Sequence, residues 1–179
     1  MEKVNVLSYH SQKKIKFCPY CGSATIEKKI HSGLHIGCPN CGWVHYEDPK
    51  VAAAVLIRQN GNVLLTRRIF SPHKGAWTLP AGFMNAYEDP QAAAARECLE
   101  ETGLNVKITG LFDIIGGREH EHGADMVVIY CADIISGELQ AGDDVDQAAF
   151  FPLNNLPSLA FKATQSVLKR LQQTKKTEK

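Results

Sequence analysis

Two apolar runs, Val51–Arg58 and Asn62–Arg68, are separated by Gln59-Asn60-Gly61 and read as paired strands joined by a hairpin turn. The next stretch, Ile69–Ala81, must end its strand at Pro80, and Gly82 lets the backbone approach a metal or phosphate closely. The period then changes. Asp89 suits an N-cap, Pro90 the first helical position and Gly103 the residue past the end, so a helix is predicted from about Pro90. Val106–Ile115 and Met126–Ile135 read as strands around a polar loop, Gly116–Gly123. Ser136–Ala149 reads as an acidic loop and Phe150-Phe151-Pro152 as a short last strand. Beyond Pro157, the spacing of Phe161, Thr164, Val167, Leu168 and Leu171 predicts an amphipathic helix, with Lys175–Lys179 fraying. Nearer the N-terminus, Ala24–Ile36 has the pattern of a short hairpin broken near Ser32-Gly33.

Charge sharpens the reading of the first helix. At about 100° per residue, Glu97, Glu100 and Glu101 fall within one narrow arc. Ala95, Cys98, Leu99 and Thr102 take the opposite arc and are expected to pack on a sheet. Like charges crowded on one face repel. A divalent cation with oxygen ligands, Mg2+ or Mn2+, would relieve that repulsion; a solvated acidic face neutralised by Arg96 and water would do so too.

The 179 residues allow one ordinary globular domain and a small module, and 44% hydrophobic with 22% charged residues is a composition of folded soluble proteins. A net charge of +1 gives no reason to expect nucleic acid or an anionic membrane as the main partner. No apolar run approaches a membrane span, and MEKVNVLSYHSQKKIKF lacks the apolar core of a secretory signal, so a cytoplasmic location is expected.

In that compartment cysteines favour metal or packing over disulfides. Cys18-Pro19-Tyr20-Cys21-Gly22 and Cys38-Pro39-Asn40-Cys41-Gly42 are near-copies of one knuckle. A two-residue gap lets both sulfurs of each knuckle face one ion, and four thiolates make a closed tetrahedral site suited to structural zinc. Redox pairs are the other reading of a Cys-x-x-Cys repeat. A unit of about thirty residues buries little apolar surface, so zinc would supply much of its folding energy. Cys98 and Cys131 lie among apolar residues and read as core. Seven lysines against four acids make the first fifty residues mildly basic, but without an aromatic-plus-arginine pattern an appended structural module or a homodimer contact is the more economical role.

From Gly82 the spacing is five residues to Glu88, seven more, then Arg96-Glu97-Cys98-Leu99-Glu100-Glu101-Thr102-Gly103-Leu104. This resembles the Nudix box, G-x5-E-x7-R-E-U-x-E-E-x-G-U, with Cys98 at the first aliphatic position as the single departure. Gly75-Ala76-Trp77-Thr78-Leu79-Pro80-Ala81-Gly82 resembles the approach to the box in many members. CPNCGWVHYEDPK before a strand resembles the junction in Nudix hydrolases that carry an N-terminal zinc ribbon, a group with NADH, FAD and ADP-ribose diphosphatases. The resemblance runs from about Phe17 to Phe161. It implies an N-terminal extension at 1–16, a zinc ribbon at 17–48, a Nudix α/β/α sandwich with a mixed sheet at 49–172 and a tail at 173–179.

It also implies hydrolysis of a diphosphate linking a nucleoside to another group. Glu97, Glu100 and Glu101 would hold magnesium, with the Gly82 carbonyl as a further ligand, while Arg96 and Glu88 orient the glutamates. Arg67 and Arg68 point to opposite strand faces, so one is expected to reach substrate phosphate and the other a surface acid. Trp77 and Tyr87 are candidates to stack a base, with core packing the alternative for Trp77. In such folds a loop acid, here among Glu119, Glu121, Asp143 and Asp144, can complete the site or act as base, with a solvated face the equal alternative; His120 and His122 are candidates for a second metal site or for a solvated loop. The NADH-enzyme marker S-Q-P-W-P-F-P-x-S does not follow Leu104, and His120 stands where ADP-ribose-specific members carry a proline sixteen residues past the box. FAD or ADP-ribose therefore ranks ahead of NADH. The alternative is a regulatory protein that binds nucleic acid or a nucleotide through the ribbon and a non-catalytic Nudix domain.

Overall fold

The computed structural model describes residues 15–31 and 33–177. Its chain divides into two compact units at Asp48/Pro49. Most of the extension at 1–16, Ser32 and the last two residues lie outside the described ones.

In the first unit, β1 (Ile26–Ile30) and β2 (Gly33–Gly37) pair antiparallel from Ile26↔Gly37 to Ile30↔Gly33. Each knuckle closes with the same hydrogen bond: the Cys18 amide donates to the Ser23 carbonyl (2.8 Å) and the Cys38 amide to the Trp43 carbonyl (2.7 Å). The hairpin buries little. Ile26 and Leu34 are exposed, and the buried apolar residues among the unit's described ones are Cys18 and Cys38. Apolar burial of this extent offsets little of the chain entropy of folding, and a cross-link through the sulfurs would supply much of the rest.

The second unit carries β3 (Val51–Leu56), β4 (Arg58–Gln59), β5 (Asn62–Arg68), β6 (Trp77–Thr78) and β7 (Ala81–Phe83) before the helix α1 (Pro90–Thr102). Then follow β8 (Leu104–Gly116), β9 (Met126–Gly137), β10 (Val145–Pro152) and α2 (Lys162–Thr177). One sheet has the order β7-β3-β9-β8, with β3 and β9 parallel and the other pairs antiparallel; the second is built on β10-β5-β4, with β6 also on β5. Alternation along β3 builds two cores. Ala53 and Val55 pack with Ala93, Ala94 and Cys98 of α1, while Ala54 and Leu56 pack with Val167, Leu168 and Leu171 of α2. The layers are therefore helix, mixed sheet, helix. Each fully buried Val or Leu of α2 contributes roughly 1.5–3 kcal/mol.

Three expectations are corrected. The run Val51–Arg58 is two strands, because the chain leaves one sheet at Ile57 and joins the other at Arg58; the turn beyond it has positive φ at both Asn60 and Gly61, the geometry that matches strand twist. The segment read as loop to Ala149 is strand from Val145, because Asp146 on this edge strand pairs with Arg67 of β5 and needs no burial. The packed face of α1 is not Ala95 and Leu99. Two rows spaced by four residues are buried, Ala93-Glu97-Glu101 and Ala94-Cys98-Thr102, and Leu99 is exposed. Alanines at the start of those rows let the helix sit close to the sheet, which carries the two glutamates inward with it.

Candidate active site

The helix that carries the glutamates is fixed at both ends by its own sequence. The Asp89 carboxylate accepts the Gln91 and Ala92 amides at 2.9 and 3.2 Å, and Gly103, at φ 69°, donates to the Leu99 carbonyl at 2.9 Å. Only glycine takes that left-handed turn at no steric cost.

Arg96 is the hub of the acidic group. Its Nε and one terminal nitrogen clasp both Glu88 oxygens at 2.7 and 2.9 Å, and the other terminal nitrogen reaches Glu97 at 2.7 Å and Glu100 at 2.9 Å. It also donates to the Phe83 carbonyl at 3.2 Å. The Arg96 clasp, with the Asn85 amide at 2.8 Å, lowers the Glu88 pKa to about 2. Glu88 thus stays ionised and holds the guanidinium in place.

Glu97 and Glu101 have a different environment. They are 8% and 3% exposed, so the arc is not a solvated acidic face. Burial raises the Glu97 pKa despite Arg96. Glu101 is raised to about 8 by burial, against a hydrogen bond from the Thr66 hydroxyl at 3.0 Å and the Ala81 amide; the charge of Asp144 raises both groups further. Asp144 is thereby the loop acid whose charge acts on both glutamates. Glu119 is not: its two oxygens accept the Lys162 and Ala163 amides at the start of α2, at 2.9 and 3.2 Å. Glu121 and Asp143 are exposed.

Gly82 lies under this group. A Cβ there would fall 2.1 Å from the Glu97 carboxylate, so any other residue would displace it. The hydrogen bonds Val55 amide to Pro80 carbonyl and Met84 amide to Val51 carbonyl, both 3.0 Å, set the phase of the β7–β3 ladder. By alternation, the main-chain groups of Gly82 face β3, and those of Ala81 and Phe83 face the open edge. The Gly82 carbonyl expected as a ligand is therefore turned into the sheet. The same register puts Ala52, Ala54, Ala81 and Phe83 on the sheet face opposite α1.

On that face is a cavity of about 310 Å3. Its room comes from small residues, Ala52, Ala54, Ala81 and Ala163, and its walls include Arg68, His120 and Phe161. Arg68 lies over the Phe161 ring at 4.8 Å, whereas Arg67 pairs with Asp146 at 2.8 Å and does not line the cavity. Trp77 is buried edge-on against Phe151 and belongs to the core. Tyr87 is fully exposed at φ 66° and is not among the cavity's residues, so neither aromatic presents a face there. As site residues the sequence did not single out Thr66, Ala81 and Phe161. Thr66, a fully buried hydroxyl in an apolar strand, was the one available signal.

In the ribbon the four sulfurs lie within 4.8 Å of one another, with Cys18–Cys41 at 3.6 Å and Cys21–Cys38 at 3.4 Å, and none is in a disulfide. Thiolates about 2.3 Å from a tetrahedral zinc stand about 3.8 Å apart, so the cluster fits that ion. Among the described residues no other group of three His, Cys, Asp or Glu ligand atoms is drawn together so closely, and His120 and His122 are not part of one. The glutamates also fit their cation: hard oxygen donors, two of them buried against the cost of ionising, are what a divalent ion would relieve. Among the described residues no helix is long and apolar enough to cross a membrane.

The helix–mixed sheet–helix unit is an α/β sandwich with acids at one sheet edge, and comparison with known proteins resolves it further. The NUDIX domain family model matches residues 48–171, and the chain belongs to the Nudix hydrolase family. An ADP-ribose pyrophosphatase of Methanocaldococcus jannaschii is 40% identical over 117 residues, 65% of this chain and 69% of that one. The NAD-capped RNA hydrolase NudC of Vibrio cholerae is 31% identical over 157 residues; the match takes in 87% of this chain but 56% of that protein's length. Among solved structures, a NUDIX hydrolase from Nitrosomonas europaea superposes with a TM-score of 0.77 at 31% identity, covering 87% of this chain and 89% of that one.

Proposed function

We propose that the chain hydrolyses the diphosphate linkage of a nucleoside diphosphate joined to a second group, with ADP-ribose or FAD ahead of NADH. Glu97, Glu100 and Glu101 would hold Mg2+ or Mn2+ for this reaction. The observation that carries the reading is the pair of buried carboxylates beside an open sheet edge, in a chain similar to an ADP-ribose pyrophosphatase. A bound divalent cation would neutralise phosphate oxygens and make water a better nucleophile at neutral pH.

The chain's own residues do the rest. Arg96, anchored by ionised Glu88, aligns Glu97 and Glu100. The Thr66 hydroxyl fixes the Glu101 carboxylate, and Gly82 keeps the space beside Glu97 clear. Asp144, the loop acid whose charge acts on both Glu97 and Glu101, would be the group to accept a proton from the attacking water. The glutamates and the cavity flank β7 from opposite faces, so a substrate reaching both crosses the open edge at Ala81–Phe83. Its phosphates then lie on the α1 side and its nucleoside on the Phe161 side, with Arg68 the cation in reach. Zinc in the ribbon would be structural, and the second partner of the chain is the nucleotide itself.

The test is release of mononucleotide from ADP-ribose, FAD, NADH and ATP with Mg2+, followed by chromatography. AMP from ADP-ribose or FAD at the highest kcat/KM is expected. Far more efficient cleavage of plain triphosphates than of every dinucleotide would overturn the substrate class.

A further inference from the structure

One end of the cavity concentrates groups that the hydrolysis itself does not use. Phe161 is ringed by Arg68 at 4.8 Å, by His73 edge-on at 5.3 Å and by His120 stacked at 6.2 Å; His122 lines the cavity beside them. The Arg68 Nε donates to the Pro72 carbonyl at 3.1 Å, and among the described residues no carboxylate pairs with its guanidinium. Glu119 is the one acid in the lining, and both its oxygens are taken by amides at the start of α2, whose dipole offsets its charge. The cavity wall therefore offers an arginine with open donors and two imidazoles, with no free carboxylate among the described lining residues to oppose an anion.

We propose that this end of the cavity binds a phosphate group carried on the nucleoside ribose, in addition to the diphosphate being cleaved. The inference rests on the reading that the cavity takes the nucleoside. It makes the preferred substrate a ribose-phosphorylated one: a phosphate on the ribose hydroxyls puts a dianion or a phosphodiester anion where Arg68, His120 and His122 converge. A bidentate guanidinium contact is the strong, geometry-selective form of such recognition. Protonation follows. The pKa of His120 is lowered by burial and by Arg68, His122 and His73, against Glu119. From α2 and the residue before it the cavity is lined by Phe161, Ala163 and Thr164, which carry no charge. A bound anion reverses that balance, so binding takes up a proton and tightens as pH falls from 8 to 6.

The experiment is calorimetric titration of the full chain, zinc-loaded, with AMP, adenosine 2′,5′-bisphosphate and adenosine 3′,5′-bisphosphate at pH 6 and 8. The expected result is that one bisphosphate binds at least about tenfold more tightly than AMP, with the ratio larger at pH 6. The 2′ isomer winning points to a phosphorylated dinucleotide, the 3′ isomer to the first phosphodiester of an RNA chain. His120→Asn and, separately, the exposed His122→Asn should lower the ratio toward one. Equal binding of all three nucleotides, or a ratio unchanged by pH and by both variants, overturns the inference. Hydrolysis is not needed for this readout, so loss of activity toward every diphosphate would sink the proposed function and leave this inference to stand or fall by itself.

Discussion

The four cysteines and the three glutamates are two answers to holding a cation, and they differ in what the protein supplies in advance. The sulfurs already lie 3.4–3.6 Å apart in pairs, set by two short knuckles with the same hydrogen bonding, and the unit's described residues bury almost no other apolar side chain. The carboxylates are not drawn together. Arg96 sits among them, and two are buried at the expense of ionisation. A closed soft-donor site fits an ion that is part of the fold; an open hard-donor site fits one that substrate must share. On the proposed reading, the first site serves the ribbon's stability and the second the chemistry.

The largest expected effect separates them at the acidic site. Glu100→Gln, at an exposed position, should lower turnover at least about a hundredfold with little change in Tm. Glu101→Gln should lose as much activity yet raise the Tm of Mg2+-free protein at pH 8, since Gln removes a buried ionisation; normal turnover in either variant would break the comparison. At the other site, Cys38→Ser should lose zinc and unfold the ribbon, measured by metal content and by tryptophan fluorescence from Trp43. Retained zinc would contradict it.

The pH dependence sharpens the contrast. Glu101, raised to about 8, and Glu97, also raised, contribute stability that is present below the ordinary carboxylate range and lost as pH rises through their folded values. Glu88, lowered to about 2, contributes stability that is complete above that range and lost only in strong acid. Mg2+-free protein should thus become less heat-stable from pH 5 to 8 through Glu97 and Glu101. The rise in Tm on adding Mg2+ should grow over the same interval, and a rise independent of pH would count against the two buried groups as ligands. The smallest effect is at the surface: Arg67→Ala breaks a half-exposed pair with Asp146 and should leave the midpoint of denaturant melts nearly unchanged. A large drop would place Arg67 in the fold's core logic.

The cysteine site and the glutamate helix were legible because their information is local. Spacing of two residues, a cap, a proline and a glycine fix each geometry within a few turns of chain. What was not legible depends on strand pairing. The β3–β7 register decides that Gly82 faces inward and Ala81 outward, and no spacing in the sequence carries that phase. Asp146 read as loop because its partner, Arg67, is distant in sequence. Trp77 offered an aromatic face by composition, but Phe151 of β10 takes it. Leu99 was expected inside and Glu101 outside; alanines at 93 and 94 tilt the choice, since small residues permit the closest approach to the sheet.

The division of labour between the two sites is tested most directly by measuring zinc content and ADP-ribose turnover on the same sample. Protein depleted of Mg2+ under conditions that spare tight thiolate sites should keep one zinc per chain, show no turnover, and recover it in full when Mg2+ is added. Turnover that persists without Mg2+ and falls in proportion to zinc would contradict it.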